Sequence, residues 1–133
     1  MYRNTLRFFG LMACGWILST SPGVADGAVA IGFAAPDEHA IARPTIVEFN
    51  GGFLMCFACR GDHYRIGCAY SPDGFKWTRI DAVMGLDKSD GGWDGEMTCY
   101  PALFKHRERL WLAYNGNGYG ATGFGLGVWK PDS

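Results

Sequence analysis

Apolar and polar positions along this chain alternate over short stretches, glycine-rich turns separate the stretches, and the whole pattern occurs twice. Pro44-TIVEFNGGFLMCF and Pro101-ALFKHRERLWLAY align without a gap, at an offset of 57 residues. Downstream, Ile66-Gly67-Cys68-Ala69 falls opposite Phe124-Gly125-Leu126-Gly127; upstream, Glu38 precedes Pro44 by six residues and Glu96 precedes Pro101 by five. One unit of short strands used twice is the mark of a repeat architecture. In the first unit the pattern predicts strands near 43–49, 53–60, 64–70 and 75–79. They are joined by Asn50-Gly51-Gly52, Gly61-Asp62-His63 and Ser71-Pro72-Asp73-Gly74, the last with proline second and glycine fourth, as a turn prefers. In the second unit it predicts strands near 99–105, 110–115 and 123–129. Residues 26–42 read as an irregular lead-in.

The inner runs FLMCFAC and LWLAY are apolar at odd and even positions alike. Strands of that kind are buried on both faces and need other layers on either side. Antiparallel sheets stacked around an axis meet the need, so the pattern predicts an all-β chain of about two propeller blades: 43–98 as one blade and 99–133 as a final blade lacking an outer strand. Propellers are built from about four blades or more. Two blades leave unpaired edges and uncovered apolar faces, and the expectation is a fragment, or a chain that associates with itself through those faces.

Composition supports the all-β reading. Nine Phe, six Tyr and five Trp stand beside 20 Gly in 133 residues, a pairing of rigid rings with turn punctuation that favours short strands. A net charge of −1 without a basic run gives no footprint for nucleic acid. Residues 1–25 differ from the rest. Arg3 and Arg7 precede the apolar run Phe8–Leu18, too short for a membrane anchor, and small residues follow at Gly23 and Ala25. This reads as a secretory signal peptide cleaved after Ala25, which would make the mature chain secreted or periplasmic, with no membrane span. Otherwise the stretch belongs to the folded domain or lies upstream of the true start, and the protein is cytoplasmic. Cys56, Cys59, Cys68 and Cys99 sit inside apolar strand-like runs, where buried free thiols are common.

Candidate chemistry gathers around Gly92–Phe104, GWDGEMTCYPALF, where Asp94 and Glu96 directly precede an apolar strand. An acid at the mouth of a strand beside Trp93 and Tyr100 suits proton transfer; acids in a glycine-rich loop are also ordinary solvated turn residues. Asp94 and Glu96 can share one face of a strand. Flanking a sugar ring from opposite sides, as glycoside hydrolysis requires, calls for a partner acid on another blade. Arg43, Arg60 and Arg65 are candidates to grip a carboxylate or phosphate by bidentate hydrogen bonds, or else to form salt bridges between blades; Arg43, next to Pro44 and near Glu38, is the best placed.

In the loop 115–125, NGNGYGATGFG, Gly116-x-Gly118-x-x-Ala121 matches a dinucleotide fingerprint in letters but lacks the following helix. The loop reads as a tight turn in which Asn115, Asn117 and Tyr119 can offer hydrogen bonds and a stacking surface to a sugar. Cys56-x-x-Cys59 places its thiols on opposite faces of a strand, and the histidines are scattered, so neither metal nor cofactor is expected.

The long motifs RGDHYRIG, WDGEMTCYP and YNGNGYGATGFG, within a stretch from about Ile31 to Val128, resemble the C-terminal two blades of a family of five-bladed β-propellers. That family is similar to glycoside hydrolases of the arabinanase and invertase type and to the N-terminal propeller of glucosamine inositolphosphorylceramide transferases. The resemblance implies a carbohydrate-active protein whose partner is a glycan or glycoconjugate. In that setting Glu96, the candidate acid, is expected to face a central channel with Glu38 and Arg43, and Asp94, Tyr100, Asn115, Asn117 and Tyr119 are the further candidates for contact with the ligand. Glycosidases of this fold carry three carboxylates on the first three blades, and this chain corresponds to the last two. Most of a catalytic set would then lie elsewhere, and the isolated chain is expected to be inactive. The alternative is a non-catalytic module that binds a glycan or a protein.

Overall fold

The computed structural model describes residues 27–130, so the signal peptide expected over 1–25 lies outside the described residues. Seven strands make two antiparallel sheets. The first contains β1 (Ala40–Phe49), β2 (Gly52–Arg60), β3 (Tyr64–Ser71) and β4 (Thr78–Arg79), in that order. The second contains β5 (Cys99–His106), β6 (Arg109–Asn115) and β7 (Phe124–Val128), again in chain order. No helix among the described residues is long and apolar enough to cross a membrane.

Turn chemistry fixes the register of both hairpins. Phe49 pairs with Gly52, which leaves Asn50 (φ 48°) and Gly51 (φ 75°) as a two-residue turn. Both are left-handed, the geometry that matches the twist of the flanking strands. In the second sheet His106 pairs with Arg109, and the two turn residues are Arg107 (φ 47°) and Glu108 (φ 59°). The second turn is thus shorter than the sequence suggested, and it repeats the conformation of the first with side chains poorly suited to it. β4 is also shorter than the predicted strand over 75–79. The Ser71 hydroxyl accepts the Gly74 N–H at 2.8 Å, and Asp73 Oδ1 accepts the N–H groups of Phe75 (2.8 Å) and Lys76 (3.0 Å). These bonds hold the chain in a turn as far as Lys76 and leave two residues for the strand.

β2 carries the core. Alternation along it points Leu54 and Cys56 towards the second sheet, where they pack beside Ile66 and Cys68 of β3 and against Leu103, Leu110, Leu112 and Trp129. Met55, Phe57 and Cys59 point the other way, against Ala69, Ile31, Ile41 and Trp77. Both faces are covered, as its apolar pattern requires. Cys56 and Cys68 are register partners on β2 and β3 and are joined in a disulfide, which corrects the expectation of free thiols at those positions. Cys59 and Cys99 are free and buried, and burial pushes both thiols up, Cys59 to about 11.

The sheets meet through their first strands. Leu103 N–H of β5 donates to the Thr45 hydroxyl of β1 at 3.1 Å. Just ahead of β5, buried Thr98 donates its N–H to the Tyr64 carbonyl at 3.1 Å and its hydroxyl to the Leu86 carbonyl at 3.1 Å. The start of β5 is thereby tied to the start of β3.

Candidate functional site

The antiparallel order brings the starts of β1, β3, β5 and β7 and the ends of β2 and β6 to one end of the two sheets. Glu38, Arg43, Asp94, Glu96, Tyr100, Asn115, Asn117 and Tyr119 all lie at or next to that end, although they spread over 82 positions of the chain.

Two residues there have unusual backbones. Arg43 (φ 56°) and Tyr100 (φ 53°) are left-handed, each immediately precedes a proline, and each sits at a break in register: β1 shifts between Ala42 and Thr45, β5 between Cys99 and Ala102. A bulky residue in this region costs about 1–2 kcal/mol, and a following proline disfavours helical backbone further. The two are equivalent in the repeat, as are Asn50 and Arg107, and Gly51 and Glu108; in each pair the backbone is left-handed in both copies. The bulges turn the two side chains towards each other, and the Arg43 guanidinium lies over the Tyr100 ring, 4.7 Å from its centre.

From this pair a row of rings continues across the end. Tyr100 stacks on Tyr119 at 5.9 Å, Tyr119 meets Tyr64 edge-on at 5.6 Å, and the Arg60 guanidinium covers Tyr64 at 5.2 Å. Tyr119 is 47% exposed and left-handed (φ 59°), as is Gly118 (φ 61°), so residues 117–120 form a turn and not a regular helix. Asn115 Nδ2 holds that turn by donating to the Tyr119 carbonyl at 2.9 Å.

The other predicted residues have structural duties. Asn117 Oδ1 accepts the N–H groups of Glu96 (2.8 Å) and Met97 (3.3 Å), and its Nδ2 donates to the Gly92 carbonyl (3.0 Å). Its amide therefore fastens the GWDGEM loop to the 115–125 loop, a role the sequence did not suggest. Asp94 is buried and accepts the Tyr114 hydroxyl at 3.0 Å; burial and that carboxylate push the tyrosine up to about 12. Trp93 packs near Tyr114 and over Gly116 and Gly125, where a Cβ would collide with the indole. Glu96 is exposed, and its carboxylate has no hydrogen-bond or ion-pair partner among the described residues.

Glu38 is not paired with Arg43. It is 4% exposed and held from three sides: Arg79 donates to its carboxylate at 2.7 and 2.9 Å, Arg65 at 2.6 Å, and the Ala34 N–H at 2.7 Å. Burial alone would raise its pKa, but these bonds and the arginine charge hold it at about 2. Arg79, which sequence reasoning passed over, also bonds Asp81 and contacts the Cys59 sulfur at 3.7 Å. Glu38, Cys59 and Asp81 converge within 4.8 Å, a grouping that could hold a cation. The positive charge among them is the Arg79 guanidinium, with Arg65 beside it. No local signal marks these partners, which come from positions 38, 65 and 79 and meet only through the register of the sheet.

Two hollows lie away from this end. One, of about 210 Å³, is an apolar seam between the sheets lined by Leu54, Met84, Leu110 and Trp129 among others. Another, of about 780 Å³, sits at the opposite end against the 105–109 turn, Phe49 and Trp129. The second also has Arg107 and Arg109 in its lining, but among the described residues no guanidinium there lies over an aromatic ring as at the tyrosine row.

Comparison with known proteins gives a fold and relatives. No family model matches the chain. Two curated proteins of Mycobacterium tuberculosis, uncharacterized protein MT1551 of strain CDC 1551 / Oshkosh and uncharacterized protein Rv1502 of strain H37Rv, are each 43% identical over 100 residues. The match covers 75% of this chain and 33% of theirs, so the chain spans about a third of the length of these relatives. A solved BT0996 complex with RGII superposes with a TM-score of 0.58 at 23% identity, covering 77% of this chain and 36% of that one. A solved glycoside hydrolase superposes with a TM-score of 0.56 at 24% identity over the same shares. The chain therefore has an all-β fold like that of glycoside hydrolases.

Proposed function

We propose that this chain is the C-terminal two-blade portion of a five-bladed, glycoside-hydrolase-like β-propeller protein that recognises or acts on a glycan, and that the glycan meets the end where β1 and β5 begin. The observation that carries the proposal is the Arg43–Tyr100 pair, in which two repeat-equivalent residues keep strained pre-proline backbones and place their side chains in contact. Strain of this kind persists where the surrounding structure enforces it, and it clusters at ligand sites. Tyrosine faces beside hydrogen-bonding groups suit the apolar faces and hydroxyls of a sugar. The two similar structures, one a complex with RGII and the other a glycoside hydrolase, support a glycan as the ligand class. The share of the relatives that the chain spans supports its being part of a larger ring. So does the apolar outer face of the second sheet, where Phe124 is 73% and Leu126 59% exposed and Phe104 stacks on Trp111. That face is proposed to pack against a further blade, or against a second copy in the isolated chain. With residues 1–25 as a secretory signal, the site would meet glycans outside the cytoplasm.

The state of the acids favours binding over turnover in this chain. Hydrolysis of a glycosidic bond requires two carboxylates. Of Glu38, Asp94 and Glu96, the first is locked between arginines and the second is bonded to Tyr114, which leaves Glu96 with an open carboxylate. A glycan panel titrated against the chain, with product analysis, tests both readings. Binding without product, undiminished by Glu96→Gln, supports the binding module; product that disappears with Glu96→Gln makes Glu96 the acid. Absence of binding to any glycan contradicts the proposal.

A further inference from the structure

The four arginines near this end fall into two kinds. Arg65 and Arg79 are neutralised by Glu38 and Asp81. Arg43 and Arg60 have no carboxylate within ion-pair distance among the described residues, and each lies over a tyrosine face. Arg60 Nε is a buried donor without a hydrogen-bond partner. A half-buried guanidinium with an unmet donor is uncommon in a finished fold, because buried polar groups are nearly always paired. Stacking on a ring fixes the plane of the guanidinium, and its two terminal amino groups, rather than the buried Nε of Arg60, form the edge that can meet a planar carboxylate in two parallel hydrogen bonds. The two guanidinium groups stand at the two ends of the Tyr64–Tyr119–Tyr100 row, and the exposed ring lies between them.

We infer that the ligand is an acidic glycan, an oligosaccharide of hexuronate type, whose ring stacks on Tyr119 while its carboxylates meet Arg43 at one end and Arg60 at the other. The inference rests on the glycan reading above and deepens it by naming the charge of the ligand. Ammonium-bearing sugars are disfavoured by the same two cations, and a neutral glycan leaves both guanidinium groups without a counter-charge. Glu96, exposed on the neighbouring loop, adds a repulsive limit on how far along the surface an acidic sugar can extend.

Calorimetric titration of the full chain tests this with matched neutral and uronate trisaccharides of gluco, manno and galacto configuration, each uronate also as its methyl ester. In at least one configuration the uronate should bind about tenfold more tightly than its methyl ester or neutral counterpart, the scale of one charge-assisted bidentate contact. Arg43→Gln and Arg60→Gln should each shrink that preference, weakening the uronate more than its neutral counterpart, and Tyr119→Ala should weaken acid and neutral forms alike. Both arginines lie outside the packed core, and circular dichroism confirms that the variants fold. Equal affinity for uronate and methyl ester overturns the inference but leaves the glycan reading standing, whereas no binding by either class overturns the glycan reading itself. Displacement of the uronate by an equal concentration of inorganic phosphate also overturns the inference, since it would mark a simple anion site.

Discussion

The two sheets are built from the same repeated pattern and end in different states. In the first, β2 is covered on both faces, and its tip is closed by Glu38, Arg65, Arg79 and Asp81. In the second, β6 has the same doubly apolar character, yet the described residues cover only the face that meets β2; Phe104, Phe124 and Leu126 remain exposed on the other. The difference teaches that an apolar run states a demand for burial and not its fulfilment. The first sheet meets the demand with the lead-in residue Ile31, with Ile41 of β1, with Trp77 and with the second sheet; the second sheet has a neighbour on one side alone among the described residues.

Mutations should break this contrast most sharply in the two cores. Phe57→Ala removes a fully buried ring from β2 and should cost about 3–5 kcal/mol of unfolding free energy. Phe104→Ala, on the open face of the second sheet, should cost less than about 1 kcal/mol. Urea denaturation of the two variants measures both, and comparable losses would show that the outer face of the second sheet is covered after all.

A slightly smaller effect belongs to the ion network that only the first sheet possesses among the described residues. Glu38→Gln leaves Arg65 and Arg79 short of a partner and should cost about 3 kcal/mol. Because the folded carboxyl sits at about 2 against an ordinary 4.5, its contribution is complete above pH 4.5 and is lost as pH falls towards 2. Midpoints of urea denaturation collected across that window should fall steeply for the native sequence and less steeply for Glu38→Gln. Parallel profiles would place the network's stabilisation elsewhere.

Much of this was legible in the residues. Asn50-Gly51, Pro72 and the short apolar runs of β2, β3, β5 and β6 placed the strands and hairpins, because turn chemistry and run length between turns are local properties. The gathering of the predicted site residues at one end follows from antiparallel order. Their partners were not legible. Glu38 and Arg79 are 41 positions apart and meet only because β1 to β4 pair in a definite register, and Asn117 reaches Glu96 across two loops. The Arg43 and Tyr100 bulges were hidden for a related reason: a residue before proline is normally extended, and only tertiary packing holds these two left-handed.

An effect smaller than that of the ion network sharpens the contrast at the hairpins. Replacing Arg107-Glu108 by Asn-Gly should stabilise the chain by about 1–2 kcal/mol, since the same left-handed turn would gain residues that adopt it readily. Placing Arg-Glu at positions 50 and 51 should cost a similar amount. Thermal unfolding of both exchanges checks the pair, and no change in either direction would mean that the turn geometry differs from that described.

The most direct test of a glycan site at the tyrosine row is an amide NMR titration of the full chain with the tightest glycan of the panel. It is repeated with Arg43→Gly, which relieves the backbone strain while deleting the guanidinium. Shifts should concentrate at Arg43, Arg60, Tyr64, Tyr100 and Tyr119, and at the same glycan concentration Arg43→Gly should reduce them while the chain stays folded. Shifts centred instead on Lys105–Arg109 or on the seam around Leu54 and Trp129, or a response unchanged by Arg43→Gly, would contradict a site at that row.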